Sequence, residues 1–167
     1  MSRETFRALL IEADNGEAEV ISDLLLEVGD CKLDRLADAN NAVEWLSRID
    51  YHLVIIAADV DGAAGLSDTL ERVKRARPTS AVLVVSSHAS IEQAVASMRV
   101  GADDFLARPC DPALFKTAAK RALARRAAYG PATDSGGMLD LMMTCQLISA
   151  SVEDNHVLGL ISGYVGR

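Results

Sequence analysis

The stretch that most constrains this chain runs from Leu53 to Gly65. Leu53 to Ala57 is an apolar run with no polar alternation, and Asp59, Asp61 and Gly62 follow it directly. A short run that is apolar on both faces and bounded by turn residues is the pattern of a central parallel strand opening into a loop. Parallel strands need crossover connections, usually helices, so the flanking sequence has to alternate strand and helix. In sheets of this kind, ligands and chemistry gather at the carboxyl ends of the strands. The residue that closes this run is Ala57, whose methyl group offers no chemistry.

The required alternation is present. Ala8 to Ile11 reads as a short buried strand, and Glu12, Asp14, Asn15 and Gly16 open a helix carrying Val20, Ile21, Leu24, Leu25 and Val28 at helical spacing. Lys32 to Leu36 suits a second strand, and Ala39 to Ile49 a second helix with Ala42, Val43, Leu46 and Ile49 on one face. After the central strand, Leu66 to Ala76 forms a helix stopped before Arg77 and Pro78. Ala81 to Ser86 is a β-branched strand, and Ile91, Ala94, Val95 and Met98 mark a helix ended by Gly101. Asp104 to Ala107 is a brief last strand before Arg108 and Pro109, and Pro112 to Ala128 a last helix with Leu114, Ala118, Ala122 and Leu123 inward. The expected fold class is therefore α/β: a doubly wound, five-stranded parallel sheet covered on both faces. Residues 1–128 form this domain, 129–137 a turn-rich linker, and 138–167 an apolar C-terminal extension. Within the extension, Met138 to Val152 suits a sixth helix whose apolar face must pack on something: its own domain, a second copy, or the rest of a longer protein.

Charge narrows the function. The net charge is −7, from 17 Lys and Arg against 24 Asp and Glu, which opposes unspecific nucleic-acid binding. Basic residues gather at Arg72, Lys74, Arg75 and Arg77, and again at Lys116, Lys120, Arg121, Arg125 and Arg126; these read as solvated helix faces or a protein contact. Cys31, Cys110 and Cys145 are odd in number and have no zinc spacing, and no apolar run reaches the ~18 residues of a membrane helix. A cytoplasmic protein with reduced thiols is expected, with no membrane partner. His52, His88 and His156 have no partner spacing and read as loop or surface residues.

From Ile91 to Pro109 the chain reads Ile-Glu-Gln-Ala-Val-Ala-Ser-Met-Arg-Val-Gly-Ala-Asp-Asp-Phe-Leu-Ala-Arg-Pro, and from Leu53 to Gly65 it carries the strand and Gly-x-x-Gly loop described above. In these stretches it resembles the CheY-like receiver domain of bacterial two-component response regulators, over about residues 7 to 127. The resemblance implies the flavodoxin-like strand order 2-1-3-4-5. It also implies an aspartyl phosphotransfer pocket, which needs a carboxylate nucleophile, acids for Mg²⁺, a hydroxyl and a cation. Carried over position by position, the acidic pair falls on Glu12 and Ala13, the nucleophile on Ala57, the hydroxyl on Ser86, the switch aromatic on Phe105, and the lysine on Arg108. Arginine is a planar fork and no equivalent of lysine's compact ammonium.

The resemblance thus implies a depleted pocket: a pseudo-receiver, not an enzyme, acting as a phosphorylation-independent interaction module. Asp59 is the possible alternative acid, but two residues of strand would displace its carboxylate by roughly 6 to 7 Å. No cofactor is expected, with Glu12 and Asp14 as weak candidates for Mg²⁺. The expected partner is a protein, meeting the fourth helix, fifth strand and fifth helix around Met98, Arg99, Phe105, Lys116 and Lys120; a homodimer through residues 138–152 is the second interaction expected. The alternative is the N-terminal regulatory piece of a larger P-loop ATPase, of pilus-assembly, partitioning or enhancer-binding type. Gly163-Tyr-Val-Gly-Arg167 resembles the opening of a phosphate loop, although Gly-Lys-Ser/Thr does not follow within the sequence. A third reading, phosphotransfer through a displaced aspartate, stays open.

Overall fold

A computed structural model describes residues 5–60 and 62–128. Asp61, the linker 129–137, the segment 138–152, Cys145, His156 and the glycine-rich Gly163 to Arg167 lie outside the described residues. The elements alternate throughout: β1 (Thr5–Ile11), α1 (Asn15–Val28), β2 (Asp30–Leu36), α2 (Ala42–Arg48), β3 (Leu53–Ala57), α3 (Gly62–Ala76), β4 (Ala81–Ser86), α4 (Ile91–Val100), β5 (Asp104–Ala107) and α5 (Pro112–Ala128). All strand pairs are parallel, in the order β2-β1-β3-β4-β5. Among the described residues no helix is long and apolar enough to cross a membrane.

The pleat sorts each central strand between two cores. Ala8, Leu10, Leu53, Ile55, Ala57, Leu83 and Val85 point toward α1 and α5, and Leu9, Ile11, Val54, Ile56, Val82 and Val84 toward the opposite layer, which α2, α3 and α4 cover. Burial on both faces is why β3 and β4 show no polar alternation.

Helix ends follow their local chemistry. Asp14 Oδ1 accepts from Glu17 N at the start of α1, and Ser90 Oγ accepts from Gln93 N at the start of α4. Gly101 ends α4 with φ 118°, a left-handed conformation that favours glycine.

Several sequence expectations need correction. Val20 and Leu114 are 49% and 43% exposed, not inward, and Val95 is 37% exposed. In α5 the buried stripe is Phe115, Ala118, Ala119 and Ala122, an i, i+3, i+4, i+7 pattern whose alanines let the helix lie close to the sheet. Strand β2 begins at Asp30 and α2 only at Ala42, because Asp38 to Asn41 is a turn in which Asp38 Oδ1 accepts from Asn40 N. The basic residues of the last two turns of α5 are not simply solvated, since Arg125 and Arg126 side chains are only 21% and 18% exposed.

Candidate functional site

The candidate site lies at the carboxyl edge of the sheet. Glu12 follows β1, Ala57 closes β3, Ser86 closes β4 and Arg108 follows β5. Backbone bonds fix the ends side by side: Glu12 N donates to Leu36 O, Ala58 N to Val85 O and Arg108 N to Ser86 O, at 2.9, 2.8 and 2.8 Å. The structure therefore places Glu12, Ala57, Ser86 and Arg108 at one edge of the sheet.

Arg108 is the centre of the cluster. Its side chain is 7% exposed and its Nη2 donates to Glu12 Oε2, itself on a side chain only 4% exposed. Glu17 Oε2 lies 3.5 Å from Nε, and Asp59 Oδ2 lies 3.7 Å from Nη1. Among the described residues Nε has no hydrogen-bond partner. One guanidinium thus faces carboxylates from the β1 edge, from α1 and from the β3–α3 loop, an arrangement suited to a planar, always-charged fork.

Glu12, Asp14, Ser86 and Asp59 have further partners. Glu12 Oε1 accepts from Asp14 N at 2.8 Å, and Asp14 Oδ1 caps α1. Ser86 Oγ, fully buried, donates to Gln93 Oε1 at 2.9 Å and accepts from His88 N at 3.2 Å. Asp59 Oδ2 accepts from Ser87 N at 3.1 Å, and its Oδ1 lies 3.5 Å from His88 Nδ1. Burial pushes the Asp59 carboxyl up, but the Ser87 hydrogen bonds, His88 and the Arg108 charge outweigh it and hold it below the usual aspartate value. Asp59 is therefore not remote from Arg108. It ties the β3–α3 loop to the β4–α4 loop.

Ala13 is exposed and Ala57 is 1% exposed. Neither supplies an oxygen from its side chain. The ring of Phe105 is 4% exposed and packs in the core layer with Ala94, Ala102 and Met98. It lies beneath the α4–β5–α5 surface and not on it.

The Mg²⁺ that the family resemblance implies does not fit these residues. Cations of this kind take an octahedral set of oxygens at ~2.1 Å, whereas both Glu12 oxygens and the capping oxygen of Asp14 already have partners and Arg108 occupies the space with positive charge.

Sequence reasoning missed two supporting residues. Arg35, near the end of β2, clamps the β1–α1 loop: Nε donates to Glu12 O, Nη2 to Ala13 O and Nη1 to Asn15 Oδ1, at 2.9, 3.0 and 2.7 Å. Glu17 turns toward Arg108; its spacing after the capping Asp14 would suit a capping box, but Glu12 Oε1 already takes Asp14 N. His52 is likewise more than a loop residue, since its Nδ1 accepts from Arg7 N at 3.2 Å.

With this geometry established, comparison with known proteins assigns the family. The response regulator receiver domain matches residues 8–120. The chain belongs to that family. The receiver is 31% identical over 118 residues to the response regulator protein FleR of Pseudomonas aeruginosa, covering 70% of this chain and 24% of FleR. It is 28% identical over 142 residues to the transcriptional regulatory protein ZraR of Klebsiella oxytoca, covering 81% of this chain and 30% of ZraR. This receiver thus spans about a quarter to a third of the length of those relatives. Among solved structures it is similar to a pilus assembly-related protein of Burkholderia pseudomallei, with TM-score 0.64 and 24% identity over 72% of this chain and 90% of that one. That likeness establishes the shared fold, including the strand order.

Proposed function

We propose that this receiver domain works without aspartyl phosphorylation, as a protein interaction module of two-component signalling. The observation that carries the reading is the closure of the carboxyl edge by the chain's own groups. Ala57 stands at the end of β3, where the family places its phosphate-accepting aspartate, and a buried methyl there accepts nothing. Arg108 supplies an internal cation to Glu12, Glu17 and Asp59, in the region where a receiver would hold Mg²⁺ and phosphoryl oxygen.

With no covalent phosphate to shift its population, such a domain responds only to a partner that binds one state better. The proposed contact is the α4–β5–α5 surface, with exposed Arg99, partly exposed Met98 and Phe105 supporting it from beneath; Lys120, expected there with Lys116, instead sits beside Phe6, Val28 and Leu123 on the α1 flank of α5. The proposed setting is the cytoplasm.

Intact mass after incubation with Mg²⁺ and acetyl phosphate, beside a receiver that retains its aspartate, tests this. The proposal expects no adduct on this chain while the control is labelled. A hydroxylamine-sensitive adduct overturns it and points to Asp59 or another acid.

A second reading, that the receiver is the regulatory part of a larger protein, is favoured by the greater length of FleR and ZraR; that the larger protein is a P-loop ATPase rests on the likeness of Gly163-Tyr-Val-Gly-Arg167 to the opening of a phosphate loop. Reading the coding sequence past Arg167 decides it. Gly-Lys-Ser/Thr supports the reading, and a stop codon there removes it.

A further inference from the structure

The two basic clusters of the sequence, distant along the chain, meet at the amino edge of the sheet, opposite the candidate site. Lys74 in the last turn of α3 and Arg125 in the last turn of α5 both approach Asp103, at 3.6 Å each, and Arg77 and Arg126 both approach Asp50, at 3.7 and 2.9 Å. Four cations thus share two carboxylates, inside a chain whose net charge is −7. Cations are favoured near helix C-termini, which accounts for their being tolerated but not for their facing one another. Between them is a cleft of about 390 Å³, lined by Lys74, Arg125, Arg126 and Asp103 and by the Pro78–Thr79 turn. Its volume lies in the range of small-molecule sites, ~300–1,000 Å³.

Nη2 of Arg126 donates to both oxygens of Asp50, at 2.9 and 3.0 Å, yet the positive charge is only partly matched: among the described residues its buried Nε has no hydrogen-bond partner. Burial and the charge of Arg126 hold His52 below the ordinary histidine value, with Asp50 opposing more weakly. Lys74 Nζ donates to Ser80 O at 3.1 Å, and Arg125 reaches Asp103 O only at 3.4 Å, so the donors of Arg125 are weakly held.

We propose that this cleft binds a small phosphorylated anion, held by Lys74, Arg125 and Arg126. The excess of cations over carboxylates matches a phosphoryl group, which carries about −1.5 to −2 charge and three acceptor oxygens. A single carboxylate would leave part of that excess uncompensated. Among the described residues no aromatic side chain lines the cleft, so what it offers a ligand is charge and donors, and the ligand class is a small phosphorylated metabolite.

The test is titration of the full ¹⁵N-labelled chain with inorganic pyrophosphate, with sulfate for comparison, read from amide shifts. Saturable shifts are expected at Thr79, Ser80, Ala81 and Asp103, smaller or absent with sulfate. Arg125→Gln is expected to weaken binding roughly tenfold or more, the size of one lost charge-assisted hydrogen bond. Asp103→Asn keeps an acceptor for Val82 N while releasing Lys74 and Arg125, and is expected to tighten binding. The amide spectra report the folding of each variant, and Asp103→Asn decides alone if Arg125→Gln unfolds. No saturable shift with pyrophosphate, equal affinity in the folded variants, or shifts centred on Glu12 and Ser86 overturns the proposal.

Discussion

Arg108 and Glu12, 96 residues apart in sequence, form a buried ion pair that joins the end of β5 to the end of β1 across the carboxyl edge of the sheet. Taking both charges out of water is costly, and their attraction offsets that cost only because further partners complete the site. Asp14 N serves the second oxygen of Glu12, and Glu17 and Asp59 stand near the other nitrogens of Arg108.

This pairing predicts a strongly non-additive mutant cycle. Arg108→Met leaves Glu12 as an uncompensated buried charge and is expected to destabilise the domain by about 3–5 kcal/mol. Glu12→Leu combined with Arg108→Met removes both charges and is expected to lie closer to wild type than either single variant. Urea unfolding of the four proteins measures the coupling. Additive losses would mean that the pair contributes nothing as a pair.

On the proposed function, a single substitution should not confer phosphotransfer. Ala57→Asp places a new carboxylate beside existing acids and Arg108 and is expected to give no adduct with acetyl phosphate. Ala13→Asp, Ala57→Asp and Arg108→Lys together supply the acidic pair, nucleophile and compact cation that the family resemblance implies, and are expected to give a hydroxylamine-sensitive adduct by intact mass. Labelling of Ala57→Asp alone would show that only the nucleophile was missing.

At the far side of β1, Tyr51 predicts an alkaline loss of stability. Its hydroxyl donates to Asp34 Oδ2 at 2.9 Å, and burial, with the Asp34 carboxylate, raises its pKa to about 12. The folded state therefore favours the neutral phenol. That contribution is complete below the unfolded value near ~10 and is lost as pH rises toward the folded value. Across that window, wild type is expected to lose more stability than Tyr51→Phe, measured by urea unfolding at matched pH. A constant difference between the two proteins would contradict the shift.

Much of this was legible because it depends on patterns that sequence carries directly. The unbroken apolar runs of β3 and β4 announced a sheet covered on both faces, and Asp14, Gly101 and the Arg108–Pro109 pair punctuated the elements as their local chemistry requires. In α5, Leu114 misled because its hydrophobicity outweighed that of the neighbouring alanines, while the phase of the buried stripe is set by Phe115 against the sheet. At the carboxyl edge, the strand ends that carry Glu12, Ala57, Ser86 and Arg108 were readable, but the partners of these residues were not. Whether Arg108 points to Glu12, and whether Asp59 folds back to Ser87, depends on loop paths that residue spacing leaves open. The strand-length argument that kept Asp59 distant assumed a straight continuation of β3, whereas Val60 N turns back to Ala57 O at 3.2 Å. The convergence of Lys74 and Arg125 on Asp103 is likewise a product of topology, which sets the C-termini of α3 and α5 at the same edge.

The most direct test of a carboxyl edge closed by its own residues is the amide spectrum with saturating Mg²⁺, then with added beryllofluoride as a phosphoryl mimic. Closure predicts no saturable shifts at Glu12, Ala13, Asp14, Ala57, Ala58, Asp59, Ser86, Ser87 or Arg108, in conditions where a receiver retaining its aspartate responds. Saturable shifts centred on those residues would mean that Arg108 yields its place to a metal and that the edge still works as a phosphoryl site.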